Sequence, residues 1–141
     1  MSPPQRVGSY GICADGDRVL LVRASSASNV PGRWFLPGGG IEHGEDPLTC
    51  LRREMEEETG LTVLHASLRG VLSDTWTQPD GTVLHTVRIV YAVEHWEGTL
   101  RAETSGSSDA VAWVAVEDAA PLGAMPYVSE ALRRFGPRPA A

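Results

Sequence analysis

The stretch from Gly39 to Leu61, GGIEHGEDPLTCLRREMEEETGL, constrains this chain more than any other. Its spacing is G-x5-E-x7-R-E-x-x-E-E-x-G, with apolar residues at Met55 and Leu61. Asp46 offers a capping oxygen and Pro47 suits the first helical position, which predicts a helix from Pro47 to Thr59. Gly60 ends it in the left-handed position that glycine adopts without a side-chain clash. At about 100° per residue, Leu48, Leu51 and Met55 fall within roughly 60° of one another and form a buried stripe. Glu54, Glu57 and Glu58 share an adjoining arc of about 100°, and Glu56 lies outside it.

Like charges three and four residues apart on a helix repel, so crowding three glutamates costs stability unless a cation offsets them. Arg53 stands four residues before Glu57, within ion-pairing reach, and can hold a carboxylate in place. Carboxylate oxygens are hard donors, suited to Mg²⁺ or Mn²⁺ rather than to zinc. Such an ion neutralises phosphate oxygens and lowers the pKa of a bound water, which points to hydrolysis of a phosphate anhydride. A solvated acidic face is the plain alternative. It leaves Gly39 and Arg53 unexplained.

The segment resembles the signature of the Nudix (MutT-like) hydrolases at every fixed position: Gly39, Glu45, Arg53, Glu54, Glu57, Glu58 and Gly60. The preceding run from Trp34 to Gly40, WFLPGGG, is similar to the family's approach to that box. The resemblance implies an α/β/α sandwich with a mixed sheet, the box forming a loop–helix–loop at one end. It implies metal ligation by Glu57 and Glu58, with the carbonyl of Gly38 as a further ligand. Glu54 would be a ligand, a water-orienting base, or both. Arg53 would orient the glutamates, and Glu45 would support the turn or the water. A further acidic residue outside the box often joins such a site; Glu103 is the candidate and Asp109 the rival.

The implied substrate is a nucleoside diphosphate linked to another moiety: a nucleotide sugar, a dinucleoside polyphosphate or a nucleoside triphosphate. The alternative is a non-catalytic nucleotide-binding or regulatory module on the same fold. Degenerate members would be expected to lose the glutamates, and here all three remain. The family's frequent homodimers leave that assembly open. Outside the box, Arg23 ends a strand where it could meet a phosphate or base, and Trp76 stands near a hairpin loop where it could stack on one. His85 and Arg88 fall on opposite faces of one strand, so at most one lines a given pocket. His85 is assigned to the substrate-binding set with Arg23 and Trp76.

The remaining sequence reads as one domain over residues 1–141, with flexible ends at about 1–5 and 137–141. Strands are predicted at 6–13 and 18–23 around Asp15-Gly16, at 34–36, from 61 to about 75 with a break near Arg69-Gly70, from 82 to about 95, and at 110–116. In the strand beginning at Thr82, Val83, His85, Val87, Ile89, Tyr91 and Val93 share one face. A closing helix runs from Tyr127 to Phe135. A net charge of −6 argues against binding a nucleic acid polymer, though not a nucleotide whose phosphates meet a metal first. Cys13 and Cys50 lack metal or redox spacing and read as reduced thiols of a cytoplasmic protein. No run is long enough to span a membrane, and MSPPQR has no apolar core of a signal peptide.

Overall fold

A computed structural model describes residues 4–137. Seven strands form one connected mixed sheet: β1 (Gln5–Asp15), β2 (Arg18–Ala24), β3 (Trp34–Phe35), β4 (Gly38–Gly40), β5 (Thr62–Thr77), β6 (Val83–Glu97) and β7 (Ser108–Ala115). The main path runs β3-β2-β1-β6-β5, with β4 on β1 and β7 on β2. The pairing of β1 with β6 is parallel, and the other named pairings are antiparallel. Helices α1 (Pro47–Thr59), α2 (Ala119–Leu122) and α3 (Pro126–Phe135) complete the fold, with a 3₁₀ turn at Val116–Asp118.

Alternation along the strands sorts the core into two layers. Tyr10 and Ile12 of β1, Val19 and Leu21 of β2 and Val90 of β6 pack with Tyr127, Val128, Ala131 and Leu132 of α3. Cys13, Leu20 and Val93 turn to the other side, onto Leu51 and Met55 of α1. The result is an α/β/α sandwich. Leu20, Leu21, Leu36, Leu51 and Met55 are fully buried, each contributing about 1.5–3 kcal/mol by removal from water. Both cysteines are buried and unbridged.

The local signals around α1 act as expected. Asp46 accepts from the backbone N–H groups of Leu48 and Thr49, and Gly60 adopts φ 79° at the other end. The expected break at Arg69-Gly70 is instead a register shift between Leu68 and Gly70 within a continuous β5. Such a bulge inserts a residue without ending the strand. Gly70 has no side chain because Phe135 of α3 packs there; a Cβ would lie 2.7 Å from its ring.

The face of β6 shared by Val83, Val87, Ile89 and Val93 is covered only at its far end: Val83 is 46% exposed, whereas Val93 is buried with Leu51 and Met55 of α1. Thr86, Arg88 and Val90 point to the enclosed side, under α3. The flexible ends expected at 1–5 and 137–141 fall partly on residues 1–3 and 138–141, outside the described residues. Gln5 itself begins β1. Among the described residues, no helix is long and apolar enough to cross a membrane.

Candidate active site

The three glycines before the box form β4, antiparallel to β1, with Tyr10 opposite Gly38 and Ser9 opposite Gly39. Gly38 has φ 145°, and a Cβ there would lie 2.2 Å from the Ser9 carbonyl oxygen. A Cβ on Gly39 would lie 2.8 Å from Glu54 Oε1. Glycine is therefore required twice: for the backbone to reach β1, and for the Glu54 carboxylate to approach the turn. Ser9 Oγ donates to the carbonyl of Pro47 at 2.7 Å, tying the start of α1 to β1.

Arg53 organises the carboxylates around this turn. Its Nε and Nη2 donate to the two oxygens of Glu45 at 2.8 and 3.0 Å, and Nη1 donates to Glu54 Oε1 at 3.0 Å. Glu57 Oε2 lies 3.5 Å from the same Nη1, on a half-exposed side chain. The guanidinium holds Glu45 well down, to about 2, aided by the backbone N–H of Glu42.

Glu58 is only 2% exposed, and Oε1 accepts from the Gly38 N–H at 2.8 Å. Burial pushes its carboxyl well above the ordinary range, and the neighbouring Glu54 pushes it further, against the lowering effect of that N–H. Glu54 is raised too, by burial first, with Arg53 opposing and Glu57 and Glu103 adding repulsion. Glu103 sits on the loop before β7, where Ser108 Oγ and N–H donate to Oε1 at 2.8 and 3.3 Å. Glu103 also borders a surface hollow with Glu57 and Arg53.

Glu54 and Glu58 line a cavity of about 260 Å³ together with Tyr10, Thr86 and Arg88 of the sheet and with Phe35, Met125 and Tyr127. Gly38–Gly40 form its edge, and Trp76, Gln78 and Asn29 stand at its border. The structure thus brings Gly38, Glu54, Glu58 and Trp76 to one cavity, with Glu45, Arg53, Glu57 and Glu103 around the glutamate end. Glu56 is exposed and borders the hollow beside Glu57, but it does not line the cavity.

Two substrate-binding candidates do not line this cavity. Arg23 is not among the cavity residues; its Nε pairs with Asp109 at 2.8 Å, which also draws Asp109 away from the glutamates. His85 lies on the outward face of β6, where Ser73 and Gln5 contact its two ring nitrogens at 2.6 and 2.9 Å. The cavity takes Arg88 instead, for the reason that separated the two in sequence: successive strand residues face opposite sides. The available signal was an arginine inside the apolar run TVRIVYAV. Tyr10 and Tyr127, whose rings lie beside it, carried no signal of their own.

The donor set fits a hard divalent cation: carboxylate oxygens with mutual repulsion that protein cations offset only partly. Among the described residues, no three acidic, histidine or cysteine side chains converge as a ready cage. Glu57 leans on Arg53, and Glu103 on Ser108.

The fold and this site define a class of protein. The family model for the NUDIX domain matches residues 3–135. The chain belongs to the Nudix family. Over 60 residues it is 45% identical to Nudix hydrolase 25 of Arabidopsis thaliana, covering 42% of this chain and 33% of that one. Over 103 residues it is 33% identical to diphosphoinositol polyphosphate phosphohydrolase 3-beta of Homo sapiens, covering 73% of this chain and 58% of that protein. The matched part therefore spans less than two thirds of either relative's length. Among solved structures, a MutT NUDIX hydrolase from Burkholderia pseudomallei superposes with TM-score 0.79 at 28% identity, covering 93% of this chain and 98% of that one.

Proposed function

We propose that this protein hydrolyses a phosphate anhydride in a nucleoside diphosphate linked to another moiety, using Mg²⁺ or Mn²⁺. The observation that carries this reading is the pair Glu54–Glu58, two repelling carboxylates that line one open cavity. Glu54, Glu57, Glu58 and the Gly38 carbonyl would hold the ion, with Glu103 joining from its loop. When bound, the cation supplies positive charge to the anhydride oxygens and acidity to a water.

The chain's own residues supply the rest. Arg53 fixes Glu45 and Glu54 in direction, which limits the motion lost at the moment of reaction. Glu54, directed by Arg53 and lining the cavity, would hold the ion or accept a proton from the attacking water. Glu58, anchored by the Gly38 N–H, stays fixed on the glycine turn. Phe35, Met125 and Tyr127 contribute apolar lining to the cavity.

A nucleotide suits this cavity better than a polyphosphorylated ring. Its lining arginines are Arg6 and Arg88, and Arg88 is already paired with Asp74. A ring bearing many phosphates needs more cations than that. Trp76 offers the kind of flat apolar surface that a base requires.

The test is a panel of nucleoside triphosphates, nucleotide sugars and dinucleoside polyphosphates, assayed for phosphate, pyrophosphate or monophosphate release with Mg²⁺, Mn²⁺ or EDTA. Metal-dependent release from a member of the panel is expected. Tight nucleotide binding without turnover would instead favour the non-catalytic module.

A further inference from the structure

We propose that Arg88 selects the base of the substrate, favouring guanine and cytosine over adenine and uracil, a reading that rests on the nucleotide cleavage proposed above. Arg88 is 7% exposed and lines the cavity from β6. Its Nε and Nη2 donate to the two oxygens of Asp74, on the neighbouring strand, at 2.6 and 3.0 Å. The Tyr127 ring centroid lies 3.5 Å from the guanidinium carbon, and that of Tyr10 lies 5.0 Å away. The group is thus gripped along one edge and backed by the Tyr127 ring, so it presents a fixed orientation.

A guanidinium carries five N–H donors on two usable edges and no acceptor. Asp74 occupies the edge made by Nε and Nη2. The other edge, Nη1 with the second hydrogen of Nη2, retains two parallel donors. Nη1 makes no hydrogen bond within the described residues. Nor is it sealed from solvent: the one sealed side-chain polar atom lacking a partner among those residues is Arg33 Nε. The free edge of Arg88 therefore serves whatever enters the cavity.

Two parallel donors need two adjacent acceptors. Guanine offers O6 beside N7, the pairing that arginine forks favour. Cytosine offers O2 beside N3. Adenine places its amino group beside both N1 and N7, and uracil places N3–H beside each carbonyl, so each sets a donor against a donor. Asp74 compensates neither mismatch, because both its oxygens face Arg88 and it does not line the cavity. That pairing also neutralises Arg88, which suits it to a base rather than to a phosphate. The phosphates belong beside Glu54 and Glu58, which line the same cavity.

The experiment compares kcat/KM of the unmodified protein for GTP, CTP, UTP and ATP, their deoxy forms and the matching diphosphate sugars, with Mg²⁺. Guanine and cytosine substrates should lead by about tenfold to a hundredfold, the discrimination of one bidentate pair. Replacing GTP with 7-deaza-GTP, which lacks the N7 acceptor, should lower kcat/KM at least tenfold and needs no mutant. In Arg88→Lys, verified as folded by its melting profile, the GTP-to-ATP ratio should fall towards one. Equal rates for all bases, an adenine preference, or an unchanged ratio in folded Arg88→Lys would overturn base selection while leaving nucleotide cleavage standing. Absence of cleavage across the whole panel would overturn both.

Discussion

Arg53 grips Glu45 with two hydrogen bonds, Nε to Oε2 at 2.8 Å and Nη2 to Oε1 at 3.0 Å, and so closes the loop before α1 onto the middle of that helix. Because Nη1 of the same guanidinium reaches Glu54 and Glu57, one side chain sets both the shape of the loop and the direction of two glutamates.

That pair has a pH signature. The Glu45 carboxyl is held down from 4.5 to about 2, so its contribution is complete above the unfolded value and is lost as pH falls through the folded one. The gap in urea midpoint between the natural protein and Glu45→Gln should be constant above about pH 5 and narrow below it. A gap of constant size down to the acid limit would place the effect elsewhere than the carboxylate charge.

Charge at the glutamate end, rather than on α1 as a whole, should govern turnover. Glu57→Gln removes one charge at nearly constant shape beside Arg53 and should lose most activity, by about a hundredfold. Glu56→Gln, exposed and outside the cavity that Glu54 and Glu58 line, should be close to neutral. Metal titrations of the two variants, with rates read at each concentration, separate them. Similar curves would sink the division of the helix into two arcs.

Removing metal should loosen the fold. Glu54 and Glu58 repel across a poorly solvated space, and an ion that binds only the folded state stabilises it by about 2.7 kcal/mol at a hundredfold excess over Kd. Thermal melts in Mg²⁺ and in EDTA measure this. An unchanged midpoint, with saturation shown independently by calorimetry, would count against a site formed in the folded state.

The two acidic residues near β7 should behave differently. Glu103 faces the glutamates and is held by Ser108, whereas Asp109 is spent on Arg23. Glu103→Gln should lower kcat about tenfold or more at nearly constant Tm, and Asp109→Asn should change it less than twofold. If Asp109→Asn proved the more damaging in steady-state assays, the loop would have to reach the metal from its other end.

Gly38 and Gly16 both have positive φ, but only Gly38 is crowded. Gly38→Ala forces a methyl group against the backbone of Ser9 and Tyr10, and should cost about 3 kcal/mol or more as well as displacing the Glu58 anchor. Gly16→Ala, in open space, should cost about 1–2 kcal/mol from the left-handed backbone alone. Denaturant melts decide; equal losses would mean that close packing on β1 is unimportant.

What could be read from residues alone was what short-range chemistry dictates. Asp46-Pro47 and Gly60 mark both ends of α1 because capping and proline geometry act within a turn, and the observed helix is Pro47–Thr59. The box glutamates and Arg53 were legible for the same reason: a helix of known pitch puts residues three and four apart on one side. The strand β6 was different. A period of two shows that its faces differ, but apolar residues on both leave open which one is covered. That was decided by partners distant in sequence: β1 pairing in parallel, α3 closing over Arg88, and Asp74 meeting it from β5. Arg88 can be buried only because those segments supply a counter-charge and two aromatic faces at once. Such compensation exists only in three dimensions, so the sequence determined the glutamate end of the cavity and tertiary packing decided the end where Arg88 lies.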